Sequence, residues 1–304
     1  MKILIAGATG AIGRPLVAQL LTAGHSVVGM VRDERSGAQL REQGARVEVA
    51  DARNASAVHD AVAHSAPDVV INQLTALPKN YTPETMQAAT ALDHQVRREG
   101  GANLLAAATA SGAKRYILQS CAFWYEEGSG LATEASSLAV KATPYIAGGS
   151  RFYTELEKSS KTADGIEVIF LRYGFLYGPG TWYARDGDSA EQVRKQQSPI
   201  VGDGQGVFSW VHVEDAAAAA VLALNRGSAG AYNIVDDDPS PARVWLPAFA
   251  RWLGAPPPPH VSLDQAGGDD AIYYGTKSRG ALNAKAKREL GFQPRRLEWL
   301  ATNA

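Results

Sequence analysis

Residues 3–13 of the chain are Ile3-Leu4-Ile5-Ala6-Gly7-Ala8-Thr9-Gly10-Ala11-Ile12-Gly13. The four apolar residues at the start of this stretch predict a short strand buried on both faces, as in a parallel sheet. Three glycines follow at a spacing of three, and a helix is predicted from about Pro15 to Ala23. Such glycines allow a tight turn and a close approach of backbone to a pyrophosphate, and the helix start offers unpaired N–H groups to phosphates. The stretch therefore predicts a dinucleotide site, with a plain glycine turn as the competing interpretation.

Strands and helices continue to alternate along the following residues. We predict strands at Ser26–Val31, Arg46–Ala50, Asp68–Asn72, Tyr116–Gln119 and Glu167–Leu171, and helices at Val58–His64, Glu84–Ser111 (interrupted at Gly100-Gly101) and Arg151–Thr162. This alternation predicts an α/β fold of Rossmann type with a doubly wound parallel sheet. It weakens beyond residue 178, which predicts a smaller C-terminal substrate lobe. The expected domains are residues 1–178, with returning segments near 200–235, for the dinucleotide, and residues 179–304 mainly for the substrate.

Composition excludes several classes of protein. Hydrophobic residues make up 45% of the 304 residues, enough for a sizeable core. A net charge of −1 gives no basic surface for nucleic acid. A single cysteine excludes a disulfide framework and a four-cysteine zinc site, and no other metal-ligand cluster is evident. The first strand starts at Lys2 and no apolar run approaches a membrane span, so we expect a cytoplasmic protein with no membrane partner.

The end of the second predicted strand bears on the form of the dinucleotide. An NAD site usually places an acidic residue there, on the ribose 2′-hydroxyl. This chain has Val31-Arg32, with Arg35 close behind, and arginine suits a 2′-phosphate. NADP(H) is therefore favoured, while Asp33 and Glu34 keep NAD(H) as an alternative; Arg32 can also be a plain surface arginine.

Other candidate cofactor contacts follow from the carboxyl ends of the predicted strands, where ligands bind in open α/β sheets. Asp51 ends the third strand and could meet the adenine edge, and residues 74–76 follow the fourth strand. The complete set of candidate cofactor residues is Gly7, Thr9, Gly10, Ala11, Ile12, Gly13, Arg32, Arg35, Asp51, Ala52, Leu74, Thr75, Ala76, Tyr173, Gly174 and Leu176.

The chain resembles the extended short-chain dehydrogenase/reductase superfamily, the group of NAD-dependent epimerases and dehydratases. The resemblance rests on five motifs: Gly7-x-x-Gly10-x-x-Gly13, residues 172–180 (RYGFLYGPG), Gly202-x-Gly204, residues 211–217 (VHVEDAA) and residues 283–294 (NAKAKRELGFQP). It implies a nicotinamide cofactor, a serine or threonine after the fifth strand, and a Tyr-x-x-x-Lys pair on the next helix, in which the lysine lowers the tyrosine pKa. By analogy it also implies a homodimer formed through long helices such as residues 84–111.

The chain departs from this pattern at the catalytic pair. Tyr145 is followed four residues later by Gly149, and Tyr153 by Glu157. Tyr145 is thus a displaced acid/base, a substrate-binding hydroxyl or a packing residue, and these alternatives stay open. The serine position is ambiguous, because counting back four from Tyr125, the family's usual reference tyrosine, gives Cys121, with Ser120 just before it. Ser120 is the favoured ligand contact, with a capping role as its alternative; Cys121 is interpreted as a small buried residue rather than a nucleophile.

Aromatic residues dominate the segments expected near the cleft. Where nucleotide-sugar relatives usually carry a diphosphate-binding arginine, this chain has apolar and aromatic residues 206–210. An aromatic or polyketide-like substrate is therefore favoured over a nucleotide sugar. The alternative is that half of these side chains pack between the lobes. The candidate substrate contacts are Phe123, Trp124, Tyr125, Tyr177, Trp182 and Phe208.

These patterns favour an NADP(H)-dependent oxidoreductase of the reductase, epimerase or dehydratase kind, acting on a small molecule with an altered Tyr-x-x-x-Lys pair. Ser120 and Tyr145 are the residues expected to polarise the substrate oxygen and relay its proton. Two alternatives remain. One is an isomerase, cyclase or lyase that keeps the nucleotide as a scaffold, and the other is a non-enzymatic NAD(P)-sensing regulator.

Overall fold

A computed structural model describes residues 1–161 and 163–301. The strands are β1 (Lys2–Ala6), β2 (Ser26–Val31), β3 (Arg46–Val49), β4 (Val69–Asn72), β5 (Arg115–Cys121), β6 (Glu167–Tyr173), β7 (Phe175–Tyr177), β8 (Ile200–Val201), β9 (Val207–Phe208), β10 (Trp210–His212), β11 (Gly230–Ile234), β12 (Ser240–Pro241) and β13 (His260–Val261). The α-helices are α1 (Gly13–Thr22), α2 (Glu34–Glu42), α3 (Ala55–Ser65), α4 (Pro83–Gln95), α5 (Gly101–Ala110), α6 (Pro144–Ser160), α7 (Asp188–Arg194), α8 (Val213–Leu222), α9 (Ala242–Leu253), α10 (Asp269–Thr276) and α11 (Glu298–Ala301). Short π turns span Val96–Gly100 and Ala286–Leu290, and a 3₁₀ turn spans Leu263–Gln265.

Seven parallel strands form the central sheet, in the order β11-β6-β5-β4-β1-β2-β3. The strand order reverses between β1 and β4, which pair in the register Ile3↔Val69 to Ala6↔Asn72. The crevice beyond the carboxyl ends of strands at such a reversal is where open α/β sheets bind ligands. The predicted doubly wound α/β fold is confirmed, and its glycine turn lies at this switch point.

Side chains of β1 alternate between two buried layers, as a strand buried on both faces requires. Ile3 and Ile5 pack with α1, α2 and α8, while Leu4 and Ala6 pack on the opposite face with α3, α5 and α6. All four side chains are fully buried. Two packed layers around one sheet hold the carboxyl-end loops in fixed positions.

A third hydrophobic cluster lies beside the sheet and forms the smaller lobe. It joins α7, α9 and α11 with the short pairs β7–β10, β8–β13 and β9–β12, around Trp210, Trp245, Phe249 and Trp299. Because β11 joins the central sheet, the chain returns from this lobe to the first part of the structure. The division near residue 178 stays a prediction.

Helix α6 differs from its predicted bounds, because it begins at Pro144 rather than at Arg151. Proline suits the first turn of a helix, where its missing N–H has no partner to lose. Tyr145 therefore lies in the first turn of a helix and not in a loop, and the predicted last residue, Thr162, lies outside the described residues. The predicted break at Gly100-Gly101 is also wrong, since a π turn carries α4 directly into α5. Within the described residues, no helix has the length and apolarity needed to cross a membrane.

Candidate active site

The turn after β1 needs glycine at two positions for steric reasons. Gly7 has a φ of +85°, and a Cβ there would lie 2.5 Å from the carbonyl oxygen of Gln73. A Cβ on Gly13 would lie 2.2 Å from the carbonyl oxygen of Gly7. At the switch point, the turn that leads into the ten-residue helix α1 therefore presents backbone that no side chain covers at Gly7 and Gly13. This glycine-lined cradle fits a pyrophosphate, and residues 7–13 would hold that part of a dinucleotide.

A cavity of about 1030 Å³ extends from the glycine turn between the sheet edge and the smaller lobe. It is lined at one end by backbone of the turn and by the ends of β5 and β6, and at the other by aromatic side chains. The candidate residues that line it are Gly7, Gly10, Ala11, Ile12, Gly13, Thr75, Ser120, Cys121, Phe123, Trp124, Tyr145, Tyr173, Gly174, Leu176 and Trp182. The predicted site is thus largely brought together in one place.

The other candidate cofactor residues lie outside the lining of this cavity. Arg32 and Arg35 are exposed at the start of α2, and Asp51 pairs with Arg53 at 2.9 Å. The remaining ones are engaged through their backbone: the carbonyls of Thr9 and Ala52 accept hydrogen bonds, and the amides of Leu74 and Ala76 donate them. Their contact with a nucleotide stays a prediction.

Three of the six candidate substrate residues are buried and lie outside the lining of this cavity, so their contact with a substrate stays a prediction. The hydroxyl of Tyr125 accepts a hydrogen bond from Arg172 at 3.0 Å and is itself bonded to Asn233. Tyr177 packs on His212 and Trp299, and Phe208 packs inside the third hydrophobic cluster. Tyr125 thus packs in the core beside the central sheet, and Tyr177 and Phe208 pack in the core of the smaller lobe, because aromatic side chains fill a core as readily as they line a cavity. Phe123, Trp124 and Trp182 do line the cavity.

Ser120 is held by a buried ionic network. Its hydroxyl donates a hydrogen bond to Glu157 at 2.7 Å. Glu157 also receives two parallel hydrogen bonds from the guanidinium of Arg172, at 2.8 and 2.7 Å. Ser120 is therefore fixed in orientation, with its proton directed away from the cavity and towards a carboxylate.

Cys121 and Tyr145 are poorly suited to lose a proton. Burial raises the pKa of the Cys121 thiol to about 12, which agrees with its interpretation as a small buried residue. Burial, and then the charges of Asp270 and Asp93, raise the pKa of Tyr145. A tyrosine acting as a base near neutral pH needs the opposite shift.

Trp124 occupies the space beside Gly149, the position four residues after Tyr145. A Cβ on Gly149 would lie 2.1 Å from the indole ring. The indole nitrogen donates a hydrogen bond to the Tyr274 hydroxyl at 2.7 Å, and the ring meets Tyr145 edge-on with centroids 6.0 Å apart. An aromatic wall therefore stands where a side chain from position 149 would project.

The loop between β4 and α4 contacts the smaller lobe across the cavity. Tyr81 stacks on Trp182 with ring centroids 4.5 Å apart, and its amide donates to Asp188 at 2.8 Å. The indole nitrogen of Trp182 donates to the carbonyl of Pro78 at 3.1 Å. These contacts close one side of the cavity with flat side chains.

Several residues that line the cavity were not among the candidates predicted from the sequence. Asp93 and Arg97 form a buried ion pair at 2.7 Å within the long helical stretch. His94 stacks on Phe152 with centroids 3.9 Å apart, and burial lowers its pKa. The only sequence signal was the i,i+4 spacing of Asp93 and Arg97 in an otherwise alanine-rich segment.

Among the described residues no group of three or more His, Cys, Asp or Glu side chains could hold a metal ion.

Residues 3–235 match the sequence profile of the NAD dependent epimerase/dehydratase family. The chain belongs to this family. The resemblance proposed from the motifs is therefore confirmed, and the protein is an enzyme of the NAD(P)-dependent short-chain dehydrogenase/reductase type.

Two curated relatives of this family member are reductases. It is 42% identical over 306 residues to 3-diazoavenalumate denitrifying reductase from Streptomyces sp, with 98% of each chain covered. It is 26% identical to 2-alkyl-3-oxoalkanoate reductase from Stenotrophomonas maltophilia, over 84% of this chain and 77% of the relative. Among solved structures, UDP-glucose 4-epimerase from Thermotoga maritima superposes with a TM-score of 0.75 at 20% identity, over 98% of this chain and 95% of its own. This last likeness shows the shared fold.

Proposed function

We propose that this enzyme reduces a flat aromatic small molecule with a nicotinamide cofactor, and that the group reduced is an aryl diazonium rather than a carbonyl. The observation that carries the proposal is Trp124 packed against Gly149, which puts an aromatic wall where a lysine side chain would start. Further support comes from the likeness to a relative whose printed name joins a diazo substrate, denitrification and reduction.

The chemistry explains why such a site needs no lysine. Reduction of a carbonyl leaves an alkoxide that an acid must protonate, and a tyrosine with a raised pKa does this poorly without a nearby cation. A reduced nicotinamide supplies a hydride when bound. With a diazonium, the hydride and its electron pair form a C–H bond, the C–N bond breaks, and its electron pair leaves with N₂. The cofactor is oxidised, the arene is reduced, and the positive charge of the diazonium is neutralised without a proton from the protein.

The cavity walls favour this substrate class. Trp124, Phe123 and Trp182 offer flat apolar surfaces, which suit an aromatic ring. The face of an indole also attracts a cation, by roughly 0.5–2 kcal/mol. A lysine ammonium at position 149 would instead repel a cationic diazonium. The Trp124 ring therefore contributes to binding of the substrate, and the glycine at position 149 leaves no ammonium there to repel it.

Deuterium transfer tests the proposed reaction. With C4-deuterated reduced cofactor and a hydroxy-substituted benzenediazonium, we expect one N₂ and one oxidised nicotinamide for each deuterated arene, at a rate well above the reaction without protein. Ketone and aldehyde panels should turn over at least tenfold more slowly. Faster carbonyl turnover would contradict the proposal. Product formed without nicotinamide oxidation would instead support the isomerase, cyclase or lyase alternative.

We further propose a preference for NADP(H), carried by Arg32. The alternative ribose partner, Asp33, is already occupied as the N-cap of α2, since its carboxylate accepts the amide of Ser36 at 2.8 Å and the hydroxyl of Ser36 at 2.9 Å. Arg32 and Arg35 are left exposed at the same place and can meet a 2′-phosphate.

The Arg32→Ala substitution tests this preference. A charge-assisted hydrogen bond contributes about 1.5–3 kcal/mol, so the Kd for NADPH should rise roughly tenfold or more while the Kd for NADH stays unchanged. Arg41→Ala is the matched control, because Arg41 lies on α2, which begins two residues after Arg32, and it already pairs with Glu34. Equal affinity for the two cofactors, insensitive to Arg32→Ala, would remove the argument for NADP(H).

The homodimer implied by the resemblance stays a prediction. Its support is the outer face of the α4–α5 stretch, which is exposed and rich in small apolar residues. This face includes Ala88, Ala91, Leu92, Ala102 and Ala106, with Leu92 46% exposed.

A further inference from the structure

Arg97 is a buried cation in the cavity wall with most of its hydrogen-bond donors unused. It lies in the π turn between α4 and α5, and its side chain is only 4% exposed. Its Nε donates to Asp93 Oδ2 at 2.7 Å. Within residues 1–161 and 163–301, its two terminal amino groups have no hydrogen-bond partner. A guanidinium carries five N–H donors, so an uncommon amount of hydrogen-bonding capacity faces the cavity.

The surroundings fix the direction of this side chain. Asp93 is held in turn by the amide of Ala76, which donates to its Oδ1 at 2.7 Å. The guanidinium carbon lies 5.5 Å from the centre of the Tyr153 ring. With Nε bound on one side and an aromatic ring beneath, the terminal amino groups are presented as a rigid pair. Asp93 is therefore a positioning residue for Arg97.

We propose that Arg97 binds an oxyanion carried by the aromatic substrate, a carboxylate or a phenolate, through its two terminal amino groups. The inference rests on the proposed function, because it assigns the orientation of that same substrate. Leaving buried charged donors without acceptors is costly, and a planar guanidinium matches a carboxylate with two parallel hydrogen bonds. Among the described residues the other cationic side chain that lines the cavity is Lys79, in an exposed loop, and burial lowers the pKa of the lining residue His94.

Binding measurements test the assignment without turnover. In the presence of oxidised cofactor, we expect Arg97→Met to weaken binding of benzoate-type ligands, phenol-type ligands or both by roughly 10–100-fold, while the matched benzamides stay unchanged. The pH dependence separates the two sources of the oxyanion. A carboxylate stays charged above pH 5, whereas a phenol ligand gains affinity only as it ionises. Arg98→Met is the matched control, since Arg98 follows directly in the sequence and is exposed.

A second variant protects the test against misfolding. Arg97→Met leaves the Asp93 carboxylate buried and unpaired, whereas Asp93→Asn combined with Arg97→Met removes both charges and keeps an acceptor for the amide of Ala76. The double variant should show the same selective loss of oxyanion binding. Equal losses for oxyanions and amides would overturn the proposal. A matching rise in the Kd of the cofactor alone would also overturn it, by placing Arg97 on the nicotinamide ribose. The deuterium assay reports on the reaction separately.

Discussion

Glu157→Ala should lower the free energy of unfolding by about 3–5 kcal/mol, because removing one partner of a buried ion pair strands the other charge. Glu157 is 4% exposed, and its carboxylate holds the guanidinium of Arg172 through both oxygens. Without it, the partners left to Arg172 among the described residues are the Tyr125 hydroxyl and the Glu134 carbonyl. The loss should be visible in urea denaturation as a lower midpoint at an unchanged slope.

Glu191→Ala is the control for this prediction. Glu191 pairs with Lys195 at 3.2 Å on the exposed side of α7, and its side chain is 52% exposed. Such surface pairs contribute about 0–1 kcal/mol. Glu157→Gln should fall between the two, because it keeps acceptors for Ser120 and Arg172 but loses the charge. Losses below about 1 kcal/mol for Glu157→Ala would mean that the buried network relaxes when opened.

The parts of the fold set by local pattern could be predicted from the sequence. Strand β2 has the predicted bounds, Ser26–Val31, because a buried strand shows itself as a continuous apolar run between turn residues. The glycine turn was equally visible from the spacing of its glycines, since a Cβ on Gly13 would meet the backbone of Gly7 within the same turn. Both features depend on short stretches of chain and on rules of backbone geometry.

The aromatic residues could not be sorted by the same means. Tyr125 was expected in the cleft, yet its hydroxyl meets Asn233, 108 residues away in the sequence. Trp124, its immediate neighbour, does line the cavity and meets Tyr274 from the smaller lobe. Which of two adjacent rings faces a cavity is decided by partners far along the chain, so composition alone places both in the cleft.

Arg97 shows how far the position of a charged residue can be predicted from the sequence. An Asp-x-x-x-Arg spacing on a predicted helix normally indicates an exposed ion pair. Here the helix continues through a π turn at Val96–Gly100, and the pair is buried against the cavity. The π turn and the burial both depend on tertiary packing. The ion pair could therefore be predicted from the sequence, but its position in the cavity wall could not.

Gly149→Ala should cost about 1–3 kcal/mol of unfolding free energy, as overpacking of a filled interior does. The new methyl group would lie 2.1 Å from the Trp124 ring, so the indole has to shift from its present position. Activity should fall along with stability, because the same ring forms the proposed substrate wall. Denaturation and the deuterium assay measure the two effects.

Gly148→Ala is the matched control for Gly149→Ala. It is the preceding residue of α6 and also a helical glycine, but a Cβ there meets no atom within 4 Å. Alanine favours a helix over glycine by about 1 kcal/mol, so this substitution should raise stability. The difference between the two variants therefore isolates the contact with Trp124. Equal stabilities would show that the indole adapts at no cost.

Combining Trp124→Ala with Gly149→Lys should redirect the chemistry. The indole is removed, and a lysine then lies four residues after Tyr145, so its ammonium would lower the tyrosine pKa that burial now raises. Ketone reduction should rise at least tenfold, because the alkoxide gains an acid, while diazonium reduction should fall as the cationic substrate meets a like charge. Loss of both activities in a folded variant would show that the tyrosine cannot reach a carbonyl oxygen. A gain in both would contradict the argument that charge at position 149 separates the two reactions.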